Sequence, residues 1–147
     1  MEYKLTPEWK VTLPDGFQNR KEGEHLTLWT TGCTVITTVF AYSGEQQRNT
    51  LLANLRAKAQ SNDLELIEDQ EGVLYRLGFL QTEVIQPGHT RLVLHAFTTA
   101  PYGCLQTSFY LDSTDDLNMV LKAWQSVSYT PIDVENNHHK CPPLGKS

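Results

Sequence analysis

The sequence predicts an α+β domain in which a mostly antiparallel, twisted sheet of about six to seven strands carries two amphipathic helices, one on each face. Three observations predict it. Short alternating or β-branched segments are bounded by Gly, Pro, Asp and Asn turn chemistry, and two longer segments repeat their apolar residues at helical spacing. The order β-β-β-α-β-β-β-β-α leaves few strand-helix-strand crossovers, which favours antiparallel pairing over a parallel sheet.

Trp9, Val11 and Leu13 alternate with Lys10 and Thr12, a half-buried strand that Pro14-Asp15-Gly16 ends. After a polar stretch from Gln18 to Glu24, Leu26, Leu28 and Thr30 line one face of a second strand, and Gly32 breaks it. Thr34 to Tyr42 is dense in β-branched and aromatic residues on both faces, which places this third strand inside the sheet. Ser43 is the expected N-cap of the first helix, Glu45 lies in its first turn, and Leu51, Leu52, Leu55 and Ala59 share one face through Gln60. Ser61-Asn62-Asp63 closes it.

Leu64 to Glu68 form a fourth strand, Glu71-Gly72 a turn, and Val73 to Leu80 a fifth strand that runs on to Ile85. Pro87-Gly88-His89 is a sharp turn signal, and Leu92 to Phe97 and Leu105 to Leu111 flank another at Ala100-Pro101-Tyr102-Gly103. Strands five, six and seven therefore form an antiparallel meander. Asp112 or Ser113 caps a second helix in which Leu117, Val120, Leu121, Trp124 and Val127 fall at offsets of zero, three, four, seven and ten, the clearest amphipathic pattern in the chain. Residues 1–131 are expected to make one domain, and 132–147, which has no period and few apolar residues, a flexible C-terminal tail.

A chain of 147 residues with 39% hydrophobic content suits a single core. Seventeen acidic against twelve basic residues give a formal charge of −5, and Arg48, Arg56 and Lys58 are spread along a helix rather than gathered into a patch, so nucleic acid is not an expected partner. The first ten residues hold no apolar signal region and Val35 to Tyr42 is too short to cross a bilayer, which predicts a cytoplasmic protein with no membrane span. Cys33, Cys104 and Cys141 are odd in number and irregularly spaced, a pattern of free thiols in a reducing compartment.

The sequence has no Gly-rich phosphate loop, Walker lysine, HExxH or CxxC, so neither a cofactor nor a catalytic residue is expected. Cys104 and His95 are thiol-site candidates because they lie on the two strands of one hairpin, with His25 as another base. A two-residue turn at Pro101-Tyr102 pairs Ala100 with Gly103 and His95 with Ser108. That register leaves Cys104 several rungs from His95, and a core cysteine beside a strand histidine is the plainer reading. Asp112, Asp115 and Asp116 with Ser113 and Thr114 offer oxygens to a hard cation, but a helix N-terminus calls for the same residues. His138, His139 and Cys141 are ligand types without a fourth ligand, so no metal site is expected there. Trp29, Phe17 and Tyr102, large side chains at strand ends or turns, are the protein-contact candidates. Trp29 leads them, because it lies opposite in phase to Leu28 on a strand expected at an edge; packing under a helix on the second face is the equal alternative for it.

Tyr3-Lys4-Leu5, Val11-Thr12-Leu13-Pro14-Asp15-Gly16-Phe17, the long helix after Tyr42, and Ser108-Phe109-Tyr110-Leu111-Asp112 leading into Leu117 to Ser128 form a pattern that spans most of the chain. It resembles the PsbP-like α/β/α fold, the group that holds PsbP, the DcrB lipoproteins, a Ran-binding transport factor and the Eag chaperones of type VI secretion. The resemblance implies a non-enzymatic role as a protein-binding module, adaptor or chaperone-like protein, and transfers no site residue. Two alternatives stand beside it: a small cysteine-dependent hydrolase using Cys104 with a histidine base, and a homodimeric structural subunit joined through an unpaired edge strand.

Overall fold

The computed structural model describes residues 1–131 apart from Glu24. In chain order it contains β1 (Glu2–Lys4), β2 (Trp9–Thr12), β3 (Gln18–Glu22), β4 (His25–Thr30), β5 (Cys33–Ala41), α1 (Glu45–Ser61), β6 (Glu65–Glu71), β7 (Leu74–Gln86), β8 (His89–Ala100), β9 (Gly103–Leu111), α2 (Leu117–Gln125) and β10 (Ser128–Tyr129). The protein is α+β. Its main sheet has seven strands in the order β3-β4-β5-β9-β8-β7-β6, and a second sheet has three in the order β1-β2-β10. All pairings are antiparallel.

Side chains alternate across a strand, so the register divides the main sheet into two faces. On the first, Leu28, Val35, Leu94, Ala96, Leu105, Phe109 and Leu111 meet α2 and the small sheet, whose Trp9 and Val11, with Leu13 just after β2, are fully buried. Trp124 of α2 lies in the middle of this layer and donates its indole N–H to Thr98 Oγ1 at 3.1 Å. Gly78 makes room for it: a Cβ there would sit 2.8 Å from the indole ring. On the second face α1 lays Leu52, Leu55 and Ala59 over Leu77, Phe79, Phe97 and Cys104, which belong to β7, β8 and β9. Each helix thus covers a different face, as the two amphipathic patterns predict.

The meander β7-β8-β9 has the expected register, with Ala100 opposite Gly103 and His95 opposite Ser108. Four features differ from expectation. The polar stretch Gln18–Glu22 is a strand, exposed at every residue, so no apolar alternation marks it. Because β3 pairs outside β4, the strand of Leu28 and Trp29 is not an edge. The opening strand belongs to the second sheet, together with β1 and β10, which are too short to show a period. Ser43 stands one residue before the N-cap, Gly44, and its backbone N–H donates to the Gln47 side chain at 2.8 Å. At α2 the capping expectation falls on Ser113, whose Oγ accepts from the Asp115 N–H at 3.1 Å in a 3-10 turn (Thr114–Asp116) that leads into the helix. The expected tail, with His138, His139 and Cys141, lies outside the described residues.

Candidate protein-contact surfaces

Helix α1 returns the chain from β5 to β6, the far edge of the sheet, and its apolar residues reach β6, β7, β8 and the start of β9. The second face of β3, β4, β5 and the rest of β9 is therefore left without a layer over it among the described residues. Cross-strand pairing sets its residues in rows. One row runs Gln18, Trp29, Thr34, Tyr110, Val93 and Gln81; the next runs Arg20, Thr27, Ile36, Ser108 and His95; a third runs Glu22, His25, Thr38 and Gln106. Trp29, Ile36 and Tyr110 are half-buried by these row neighbours and belong to neither apolar cluster.

Charge is confined to the border of this surface. Arg20 sits 5.9 Å from the Trp29 ring and bonds Glu22 at 3.2 Å; Arg91 sits 4.7 Å from the Tyr110 ring and bonds Glu83 at 2.9 Å. Each arginine is thus paired to a carboxylate and stacked on an aromatic ring. His95 Nδ1 lies 3.4 Å from Ser108 Oγ and Nε2 lies 3.2 Å from Gln81 Oε1, with the ring 5.3 Å from that of Phe79. Burial, reinforced by Lys58, lowers the pKa of His95 and keeps it neutral near pH 7.

A second surface lies at the end of the sheet where β5 closes and the β6-β7 and β8-β9 turns fall. Phe40 pairs opposite Cys104 in the last rungs of β5, and the Tyr42 N–H donates to the Tyr102 carbonyl at 3.2 Å. Phe40 is 42% exposed, Tyr102 66% and Val73 62%, with Val39 also exposed. Phe40, Val73 and Tyr102 are large side chains open to solvent at this end of the sheet, while Val39 alternates onto the opposite face from Phe40.

The structure separates the sequence candidates. Trp29 is on the uncovered face and Tyr102 at the apolar end. Phe17 is not available for contact: it is 8% exposed, packs in the core under the small sheet, and its carbonyl accepts the Tyr3 hydroxyl proton at 3.1 Å. Cys104 and His95 do not come together. They share a face, but Cys104 stands opposite Thr99, four residues from His95, which is about 13 Å along the strand. Cys104 is completely buried under α1, and that burial pushes its thiol up to about 12, the reverse of an activated nucleophile. His25 bonds Thr38 Oγ1 through Nδ1 at 2.9 Å, on β4 and two strands from β9. Among the described residues no three His, Cys, Asp or Glu side chains gather as metal ligands, and no helix is long and apolar enough to cross a membrane.

Sequence reasoning missed two buried arginines. Arg48 of α1 donates from Nε to Thr99 Oγ1 at 3.0 Å and from Nη2 to the Thr99 carbonyl at 2.9 Å, and it pairs with Glu45 at 2.9 Å, pinning the start of α1 to β8. Arg76 of β7 bonds Asp69, Glu71 and the Gln125 carbonyl, tying β6 to the C-terminus of α2. Position 48 shares the one-face spacing of Leu52, Leu55 and Ala59, and that was the available signal.

No protein-family model matches the chain, and no curated protein matches its sequence. Its fold is found in a crystal structure from Bacteroides thetaiotaomicron VPI-5482 that carries no functional name, with a TM-score of 0.66 at 8% sequence identity over 84% of this chain. The match takes in 46% of that protein, so the present chain spans less than half of its structural neighbour. The likeness is one of fold.

Proposed function

We propose that this chain is a non-enzymatic protein-binding module, an adaptor or chaperone-like protein of the PsbP-like type that works in the cytoplasm. The observation that carries the reading is the end of the sheet where the aromatic side chains of Phe40 and Tyr102 are both exposed, linked through the Tyr42 N–H bond to the Tyr102 carbonyl. Large exposed aromatic groups of this kind are the anchors of protein interfaces. The titratable groups beside them are engaged within the fold: Cys104 lies beneath α1, Arg48 spends its donors on Thr99, Val73 and Glu45, and the Tyr42 hydroxyl donates to the Gly103 carbonyl at 2.8 Å. Two buried free thiols, Cys33 and Cys104, suit a reducing compartment.

The test is affinity capture from lysate of the source organism with wild-type chain, a Tyr102→Ala, Phe40→Ser variant, and Trp29→Ala as baits. The reading expects a partner retained by wild type and lost with the Tyr102 and Phe40 changes. Recovery of the same proteins with all three baits, or of none with wild type, rejects it.

A further inference from the structure

The uncovered half of the main sheet is bounded by a step. Sheets stack about 10 Å apart, and a helix packed on a sheet stands about as high, so α1 forms a wall along β8 that leaves a platform four strands wide, from β3 to β9. We propose that this platform is the contact face of a two-fold homodimer, in which the β3-β4-β5-β9 quarter of one copy packs on the same quarter of a second copy. Each copy's β3 edge then abuts the other's α1.

Three features fit a second copy of this chain. The first is chemical: Trp29, Ile36 and Tyr110 stand among Thr27, Thr34 and Thr38 in the middle, and charge is confined to the border. That is the layout of an interface with an apolar centre and a polar rim. The second is electrostatic. On a chain of net charge −5 this face is internally balanced, because Arg20 is paired with Glu22 and Arg91 with Glu83, so two copies meet here without opposing like charges. The third is size. Four strands by three same-face rungs give a patch about 20 Å square, and two such patches with the α1 flanks bury on the order of 1,000 Å², the threshold for specific association. Pairing through a free edge strand fits less well: β6 carries Glu65, Glu68, Asp69 and Glu71, which repel a second β6, and β3 is polar throughout.

Sedimentation equilibrium across about 1 to about 500 μM, the range in which an interface of this size dissociates, is the experiment. It is run with acrylamide quenching of tryptophan fluorescence at the same concentrations. Trp9 and Trp124 are buried in the monomer at 1% and 2% exposure, so Trp29 is the tryptophan whose accessibility a dimer changes. The wild type is expected to reach twice 16.7 kDa with quenching that falls as the dimer forms. Ile36→Lys, which sets a charge at the centre of an open sheet face, is expected to stay at the monomer mass with an unchanged circular dichroism spectrum. Wild type monomeric throughout overturns the proposal. So does a dimer whose formation leaves the quenching of Trp29 unchanged, a readout that needs no variant to fold.

Discussion

The two faces of the seven-stranded sheet are made by the same strands, residue by alternate residue, yet one is sealed and the other half open. On the sealed face β5 contributes Cys33, Val35 and Thr37, all buried; on the open face it contributes Thr34, Ile36 and Thr38, all half-exposed. The composition of the strand differs little between the two. The difference is what lies above. Among the described residues the first face receives both α2 and the small sheet, while the second receives one helix that lies over β6, β7, β8 and the start of β9. Cohesion is therefore concentrated on one face, and the other is free to carry contacts.

That asymmetry predicts a large loss where the sealed face is opened. Trp124 is 2% exposed, packs against Gly78 and spends its N–H on Thr98. Trp124→Ala is expected to cost about 3–5 kcal/mol, from lost burial plus the cavity left behind. Urea unfolding measures it. A cost below about 1 kcal/mol, the scale of a surface position, breaks the claim that this face holds the fold.

Buried thiols give the next largest effect, and they sample both faces, Cys33 on the sealed side and Cys104 beneath α1. Burial pushes Cys33 up to about 11, with Asp116 and Asp112 adding to it, and Cys104 up to about 12, from a usual value of 9.0. Above pH 9 the unfolded chain releases thiol protons that the folded chain still holds. The unfolded state then binds fewer protons, and stability falls as pH rises towards the folded values. By about pH 10 each thiol contributes a loss on the order of 1 kcal/mol relative to about pH 8. The urea midpoint should fall over that interval in wild type and fall less in a Cys33→Ala, Cys104→Ala variant. Equal slopes in the two proteins would place the thiols in contact with water.

How much of this was legible depended on periodicity. The α2 stripe, the meander and its turn at Pro101-Tyr102 are local patterns with strong apolar repeats, and they stand where the sequence puts them. β3 is exposed on both faces, and β1 and β10 have three and two residues, so none of them carries a pattern to find. No burial is assigned to Arg48 or Arg76 at the level of sequence, because a buried guanidinium needs carbonyl and carboxylate partners that come from residues distant in sequence such as Thr99 and Gln125. Trp29 could be placed on the face opposite Leu28 from alternation alone. Whether that face was covered depended on where α1 lands after crossing to β6, a non-local outcome on which the residues of β4 and β5 are silent.

Trp29 and Trp124 therefore make the sharpest comparison, because the same substitution on the two faces isolates the effect of what covers them. Trp29 touches its neighbours on the sheet, Gln18 and Thr34 across the strands and Arg20 at 5.9 Å, with no helix above it. Trp29→Ala removes cross-strand contacts but opens no enclosed cavity, so its cost is expected to be on the order of 1 kcal/mol in the monomer. Measured at concentrations where the chain is monomeric, the ratio of the Trp124 loss to the Trp29 loss should be about three or more. A ratio near one would mean that residues outside 1–131 or a permanently bound partner closes the second face, and the platform would no longer be an open surface. If the two losses differ as expected at low concentration and the Trp29 loss grows as the protein is concentrated, the added part is the share of this ring in the contact between copies.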